Sequence, residues 1–186
     1  MKKLIIDSST SFYITILIER DNQVYSKVHK TKYSRDDLIH RIYCKFRPDT
    51  VFIGRGPGSF TGLRNIFSYF SVLQKISDIN IYSVSSLDIW RTALDPHRIF
   101  DNFVITLNKK LGFLQDKDGS YMLIERYKLE QDTLIFDPSH YWEKTLIDLN
   151  LDEIEDSIWG QLLKTGTIMT NFTPEYGFEL EFLRKA

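Results

Sequence analysis

The 186-residue chain holds one cysteine, Cys44, which excludes an internal disulfide framework and suits a reducing compartment. Its formal net charge is −1, so nothing in the overall balance attracts a polyanion. Contact with nucleic acid has to be local or shared with a partner. No apolar run reaches membrane-spanning length. The opening Met1–Ile6 imitates a signal peptide, but Asp7 ends it well short of the roughly 7–15 apolar residues required. These absences predict a soluble cytoplasmic protein that does not engage a membrane. What is present is ordinary for a globular chain: 42% hydrophobic, 26% charged and 14% aromatic residues. A chain of this size buries about 70% of its unfolded surface, so a real core is expected.

Leu4-Ile5-Ile6 reads as a short buried strand and Asp7-Ser8-Ser9-Thr10-Ser11 as a polar turn. Two further strands follow, Phe12 to Glu19 and Val24 to His29, separated by a turn at Arg20-Asp21-Asn22-Gln23. Ser34-Arg35-Asp36-Asp37 has the form of a capping box before a helix carrying Leu38, Ile39, Ile42, Tyr43 and Phe46 on one face. Arg47-Pro48-Asp49 stops that helix, Val51-Phe52-Ile53 is a fourth strand, and a second helix runs from Leu63 to Ile76. Ile79 to Val84 is a fifth strand, and Ser85-Ser86 opens a third helix. The polar junction Asp95-Pro96-His97-Arg98 divides the chain into an N-terminal domain, 1–95, and a C-terminal α/β domain, 98–186. The order β-β-β-α-β-α-β-α before it is that of an actin-like, ribonuclease-H-like half-domain. Strands at Phe103–Leu107, Tyr121–Tyr127 and Thr133–Phe136, a hairpin at Asp116–Gly119, and helices near His140–Leu149 and Asp152–Leu163 follow it.

Four of the nine glycines crowd into residues 54–62 of Gly-Arg-Gly-Pro-Gly-Ser-Phe-Thr-Gly-Leu-Arg. A P-loop needs G-x-x-x-x-G-K-[ST], but the positions five beyond Gly54, Gly56 and Gly58 hold Ser59, Thr61 and Leu63, and no lysine is present. The dinucleotide fingerprint G-x-G-x-x-G ends at Ser59 or Thr61 and fails as well. Two readings stay open: a helix N-terminus capped by Ser59 or Thr61 that holds an anion, or a tight strand-to-helix turn with no ligand. The helix that follows has apolar residues over about 220° of arc, more than one sheet face can bury.

The uninterrupted GRGPGSFTGLR, Gly54 to Arg64, following LIIDSST, resembles the signature of the TsaB (YeaZ) family. Val84-Ser-Ser-Leu87 resembles that family's VSSL after the fifth strand, and Phe172-Thr-Pro-Glu-Tyr176 its terminal P-x-Y. The resemblance covers the first half well and the second half poorly. It implies an actin-like fold and a non-catalytic subunit that supports a TsaD-type transferase in making threonylcarbamoyladenosine beside the tRNA anticodon. A TsaE-type ATPase joins that complex, the isolated subunit forms homodimers, and tRNA is reached only through the complex. On this reading Gly54, Arg55, Gly56, Pro57, Gly58, Ser59, Phe60, Thr61, Gly62 and Arg64 form the signature loop. Phe67, Tyr69, Phe70, Val72 and Leu73 supply the partner interface. Cofactors bind this chain alone in no case, and any nucleotide sits at a surface shared with partners.

The departures also carry information. Active actin-like ATPases have D-x-G-[TS] in the first turn, whereas this chain has Asp7-Ser8-Ser9-Thr10, and Asn108 stands where relatives carry an acid. Both are degenerate phosphate turns, and losing the acid weakens any magnesium-bound nucleotide. The second domain is shortened relative to the family. His40 and Cys44 share a helix face, but two ligands do not make a metal site. Ser59 lacks the flanking glycines of G-x-S-x-G. Arg55 and Arg64 bracket the loop, either solvated or bracing it, and Lys109-Lys110 reads as a hairpin guard. The alternatives to the supporting subunit are a freestanding actin-like ATPase or small-molecule kinase, and a homodimer that has lost its original partner.

Overall fold

A computed structural model describes residues 2–10, 12–18, 24–30, 35–129, 132–138, 141–142, 154 and 156–176. The Ser34 cap, the Arg20–Gln23 turn and most of the expected His140–Leu149 helix lie outside them. The buried run Leu4-Ile5-Ile6 lies in β1 (Lys3–Asp7), which pairs antiparallel with β2 (Phe12–Ile18), itself antiparallel to β3 (Val24–Lys30). On its other side β1 is parallel to β4 (Thr50–Gly54), and β4 is parallel to β5 (Asn80–Val84). Parallel neighbours need crossovers, supplied by α1 (Arg35–Phe46) and α2 (Phe60–Ile76). Arg47 closes α1 in a left-handed conformation at φ 45°, donating its N–H to the Tyr43 carbonyl, and Pro48 prevents continuation.

After β5 the helix α3 (Ser86–Leu94) leads into a second, four-stranded sheet built from β6 (Asn102–Thr106), β7 (Leu111–Gln115), β8 (Tyr121–Glu125) and β9 (Thr133–Phe136). Its order is β8-β7-β6-β9, with β6 and β9 parallel and the other pairs antiparallel. This repeats β3-β2-β1-β4 of the first sheet, a duplication of topology that the sequence does not display as a repeat. The expected strand order is therefore present, as is the hairpin at Asp116–Gly119, which joins β7 to β8. Sequence reading missed β7 as a separate strand. A further helix, α4 (Asp156–Lys164), packs against α3, and β10 (Thr167–Ile168) then returns to pair with β5. Residues 167–176 thus rejoin the first lobe.

Alternation along the central strands divides the interior in two. Leu4, Ile6, Val51 and Ile53 face α1 and α2, where they meet Ile39, Ile42, Ile66, Phe67 and Phe70. Ile5, Phe52 and Val84 face the opposite way, onto Leu87 and Trp90 of α3, Phe103, Phe113 and Phe136 of the second sheet, and Trp159 of α4. The second core is shared by both sheets, with α3 between them.

Candidate functional site

The glycine stretch leaves β4 at Gly54, passes a cis Gly56–Pro57 peptide and enters α2 at Phe60. Ser59 caps that helix, its hydroxyl accepting from the Gly62 N–H at 3.5 Å, so the cap position falls on the first of the two candidates. The loop is filled by the chain itself. The Ser59 N–H donates to the Ser9 carbonyl at 2.6 Å, and the Ser8 hydroxyl donates to the Gly62 carbonyl at 2.7 Å. Gly56 and Ser86 exchange bonds: the Gly56 N–H donates to Ser86 Oγ and the Ser86 N–H to the Gly56 carbonyl, both at 2.9 Å. IIDSST, GRGPGSFTGLR and VSSL, separate in sequence, therefore converge on one cluster.

Close approach explains the glycines. A Cβ on Gly54 would stand 1.7 Å from Asp7 Oδ1 and 2.7 Å from Ser86 Oγ. Gly56 has φ +111°, and a Cβ there would stand 1.8 Å from the Glu175 carbonyl oxygen. That contact identifies what lies along the loop. The Glu175 N–H donates to the Arg55 carbonyl at 2.7 Å, and their side chains form an ion pair at 3.5 Å. Tyr176 lies on Phe60 with ring centroids 4.8 Å apart, and Phe172 meets Phe67 edge-on at 6.3 Å. The Phe172–Tyr176 segment covers the stretch, so of the two readings left open the turn explains the glycines. Pro57 and Gly58 are buried within it, whereas Thr61 and Arg64 are exposed.

Asp7, at the end of β1, is fully buried. Its carboxylate accepts from the Ser9 N–H (3.0 Å), Ser9 Oγ (2.6 Å), Ser86 Oγ (2.6 Å) and Trp90 Nε1 (2.7 Å). Burial pushes the carboxyl pKa up, and the donors from Ser86, Ser9 and Trp90 oppose that rise. This carboxylate is sealed from solvent and engaged by four donors of its own chain. Ser8, Ser9 and Thr10 are buried beside it. Trp90, whose indole also stacks on Phe136 at 4.5 Å, fills the space between the lobes next to Asp7. Asn108 serves the β6–β7 turn: its side-chain oxygen accepts from the Lys110 N–H (2.8 Å) and the Leu111 N–H (3.0 Å). Sequence reading missed Ser86, Trp90 and Glu175 as parts of this cluster; VSSL and FTPEY were the available signals.

The outward face of α1 and α2 is different in character. His40, Tyr43 and Cys44 of α1 and Tyr69, Val72, Leu73 and Ile76 of α2 line an open, mainly apolar groove of about 500 Å³. Val72 and Ile76 are 57% and 76% exposed. His40 Nδ1 lies 3.1 Å from the Tyr69 hydroxyl, and burial, then Cys44 and Tyr43, push the Tyr69 pKa up to about 12. Phe67 and Phe70 correct the expected interface: at 3% and 0% exposure they belong to the core beneath α2, because their side chains point to the sheet. Tyr69, Val72 and Leu73 remain, joined by Ile76, His40 and Cys44. His40 and Cys44 lie 3.5 Å apart at Nε2 and Sγ, yet no group of three metal-ligating side chains occurs among the described residues. No helix among them is long and apolar enough to cross a membrane.

No family model and no curated protein matches the sequence. Solved structures do match in shape. YeaZ from Pseudomonas aeruginosa superposes with a TM-score of 0.65 at 14% identity, covering 94% of this chain and 99% of that one. A protein described as uncharacterised, with similarity to peptidase YeaZ, from Pseudomonas aeruginosa superposes with a TM-score of 0.64 at 16% identity, covering 95% and 99%. The chain has the two-lobed α/β fold of YeaZ over nearly its full length.

Proposed function

We propose that this chain is a non-catalytic subunit of the TsaB type, which docks its α1–α2 face on a TsaD-type threonylcarbamoyl transferase acting on tRNA. The carrying observation is the open apolar groove of about 500 Å³ that no described residue of the chain covers. The YeaZ-like fold and the contiguous GRGPGSFTGLR support the family assignment. The engaged Asp7 supports the non-catalytic role, since a freestanding ATPase needs that turn open to phosphate. The glycine stretch contributes indirectly, by fixing the start of α2 and thereby the groove's second wall. Any nucleotide belongs to a surface shared with partners, and a TsaE-type ATPase completes the assembly.

Sedimentation of the chain mixed with the transferase subunit tests this reading. Phe70 is unsuitable for the test because its replacement disrupts the core. The double variant Val72→Glu/Ile76→Glu alters exposed positions only. It should fold as the parent does and sediment separately from the transferase. Retention of the complex by this variant would overturn the docking face.

A further inference from the structure

In the second lobe the β6–β7 turn lies beside the 3-10 turn Arg126–Lys128 that follows β8. The two are joined by the Arg126 N–H, which donates to the Lys110 carbonyl at 2.9 Å. Lys109, Lys110, Glu125, Arg126 and Tyr127 line an open pocket of about 420 Å³, and Lys128 Nζ lies over one face of the Tyr127 ring, 5.6 Å from its centroid. Its charge is unbalanced. Glu125 is the acid present, and it is occupied by Lys128 Nζ at 3.2 Å and by the Tyr127 hydroxyl. Arg126 donates Nη2 to the Trp142 carbonyl at 2.9 Å, a contact that satisfies a hydrogen bond without neutralising the cation. Lys109 and Lys110 are exposed and without an acidic partner among the described residues.

We infer that this pocket binds a single-stranded nucleic-acid segment, with Lys109, Lys110 and Arg126 on its phosphates and a base on the Tyr127 ring. Tyr127 is 79% exposed, an aromatic surface left in water directly beside cations on a protein whose overall charge is −1. Cations alone would serve any acidic partner. An exposed planar ring among them adds a stacking platform, which nucleobases use and carboxylate side chains do not. The pocket lies outside both the glycine cluster and the α1–α2 groove, so this inference and the docking proposal can fail separately.

Fluorescence anisotropy of the full chain with labelled ten-nucleotide RNA and DNA of the same sequence provides the test, with labelled polyglutamate as the competing class. Binding to either strand at 50 mM salt is expected, with log K falling against log salt at a slope of about −2 for three neutralised phosphates. Lys109→Ala should reduce that slope by about 0.7. Tyr127→Ala should weaken binding about fivefold or more, and Tyr127→Phe should retain it. These side chains are exposed, and circular dichroism confirms that each variant is folded. Absence of binding, equal binding of polyglutamate, or an unchanged affinity in Tyr127→Ala would each overturn the inference. Preference between the RNA and DNA arms identifies which strand the pocket takes.

Discussion

Replacing Asp7 separates a structural clasp from a degenerate ligand site. In Asp7→Ala the fixed N–H groups of Ser9 and Trp90 lose their acceptor in a sealed interior, at about 1–3 kcal/mol each. The Ser9 and Ser86 hydroxyls can rotate, so they add little. Removing a carboxyl whose burial is itself unfavourable returns part of the loss. The net destabilisation is about 3 kcal/mol, a fall in Tm of roughly 6–12 °C for a chain of this length. Urea unfolding with matched m-values measures it. Asp7→Asn keeps an acceptor oxygen and should fall between parent and Ala. The sign of the pH dependence follows from the raised carboxyl pKa. The folded state binds that proton more tightly than the unfolded state, so this group's stabilisation is present at low pH. It is lost as pH rises from the ordinary value of 3.8 through the raised one, and Asp7→Asn should remove that slope. An Asp7→Ala variant as stable as the parent would refute the clasp, because a residue kept for ligand binding leaves no donors orphaned when deleted.

Gly56→Ala combines a φ of +111° with a carbonyl at 1.8 Å, so the backbone strains by about 1–3 kcal/mol and the Phe172–Tyr176 segment is displaced. Limited proteolysis should then cut that segment faster than in the parent, while α2 stays protected. Arg91, fully buried, donates to the carbonyls of Gln115, Asp116, Phe100 and Asp101 and lies 3.9 Å from Asp95. Arg91→Met leaves those carbonyls without their donor and Asp95 without its cation, holding only the Ile99 and Phe100 N–H groups, costing about 3–5 kcal/mol by urea unfolding. Val72→Glu/Ile76→Glu should shift stability by less than about 0.5 kcal/mol while abolishing association with the transferase, read by sedimentation.

The first lobe was legible because its strands are short apolar runs bounded by polar turns, and its helices carry a stop signal at Pro48 and a cap at Ser59. The width of the apolar arc on α2 was also legible, but not which residues fill each part. Phe67 and Phe70 differ from Tyr69 and Val72 only in angle around the helix, and the packing of α1 beside α2 decides which angle is inward. The glycine stretch was legible as a tight turn, whereas its occupant was not. Residues 172–176 lie more than a hundred positions away, and contact between Glu175 and Gly56 depends on β10 returning the chain to the first sheet. Asp7 could be recognised as a departure from a phosphate turn, but its four donors come from the adjoining Ser9 turn and from α3, some eighty residues on, which only folding brings together.

Each lobe buries an aspartate at a central strand end, though not at the same topological position: Asp7 ends β1, whereas Asp137 follows β9, the counterpart of β4. In the first sheet Asp7 ends β1 and is buried against Trp90 of α3, the helix after β5. The second ends its β6–β9 pair in Asp137, which accepts from the Thr106 hydroxyl at 2.6 Å and from the Trp142 N–H. Trp142 then closes over the turn, its indole donating to the Asn108 carbonyl at 2.7 Å. In a two-lobed fold that clamps a metal-bound nucleotide, carboxylates at these strand ends have to present free oxygens across an open cleft. Here each acid is buried and bonded within the chain, Asp7 tying β1 to α3 and Asp137 tying β9 to β6 and to the Trp142 backbone. Among the described residues, surfaces left with unsatisfied chemistry include the apolar α1–α2 groove and the cationic pocket at Lys109 and Arg126.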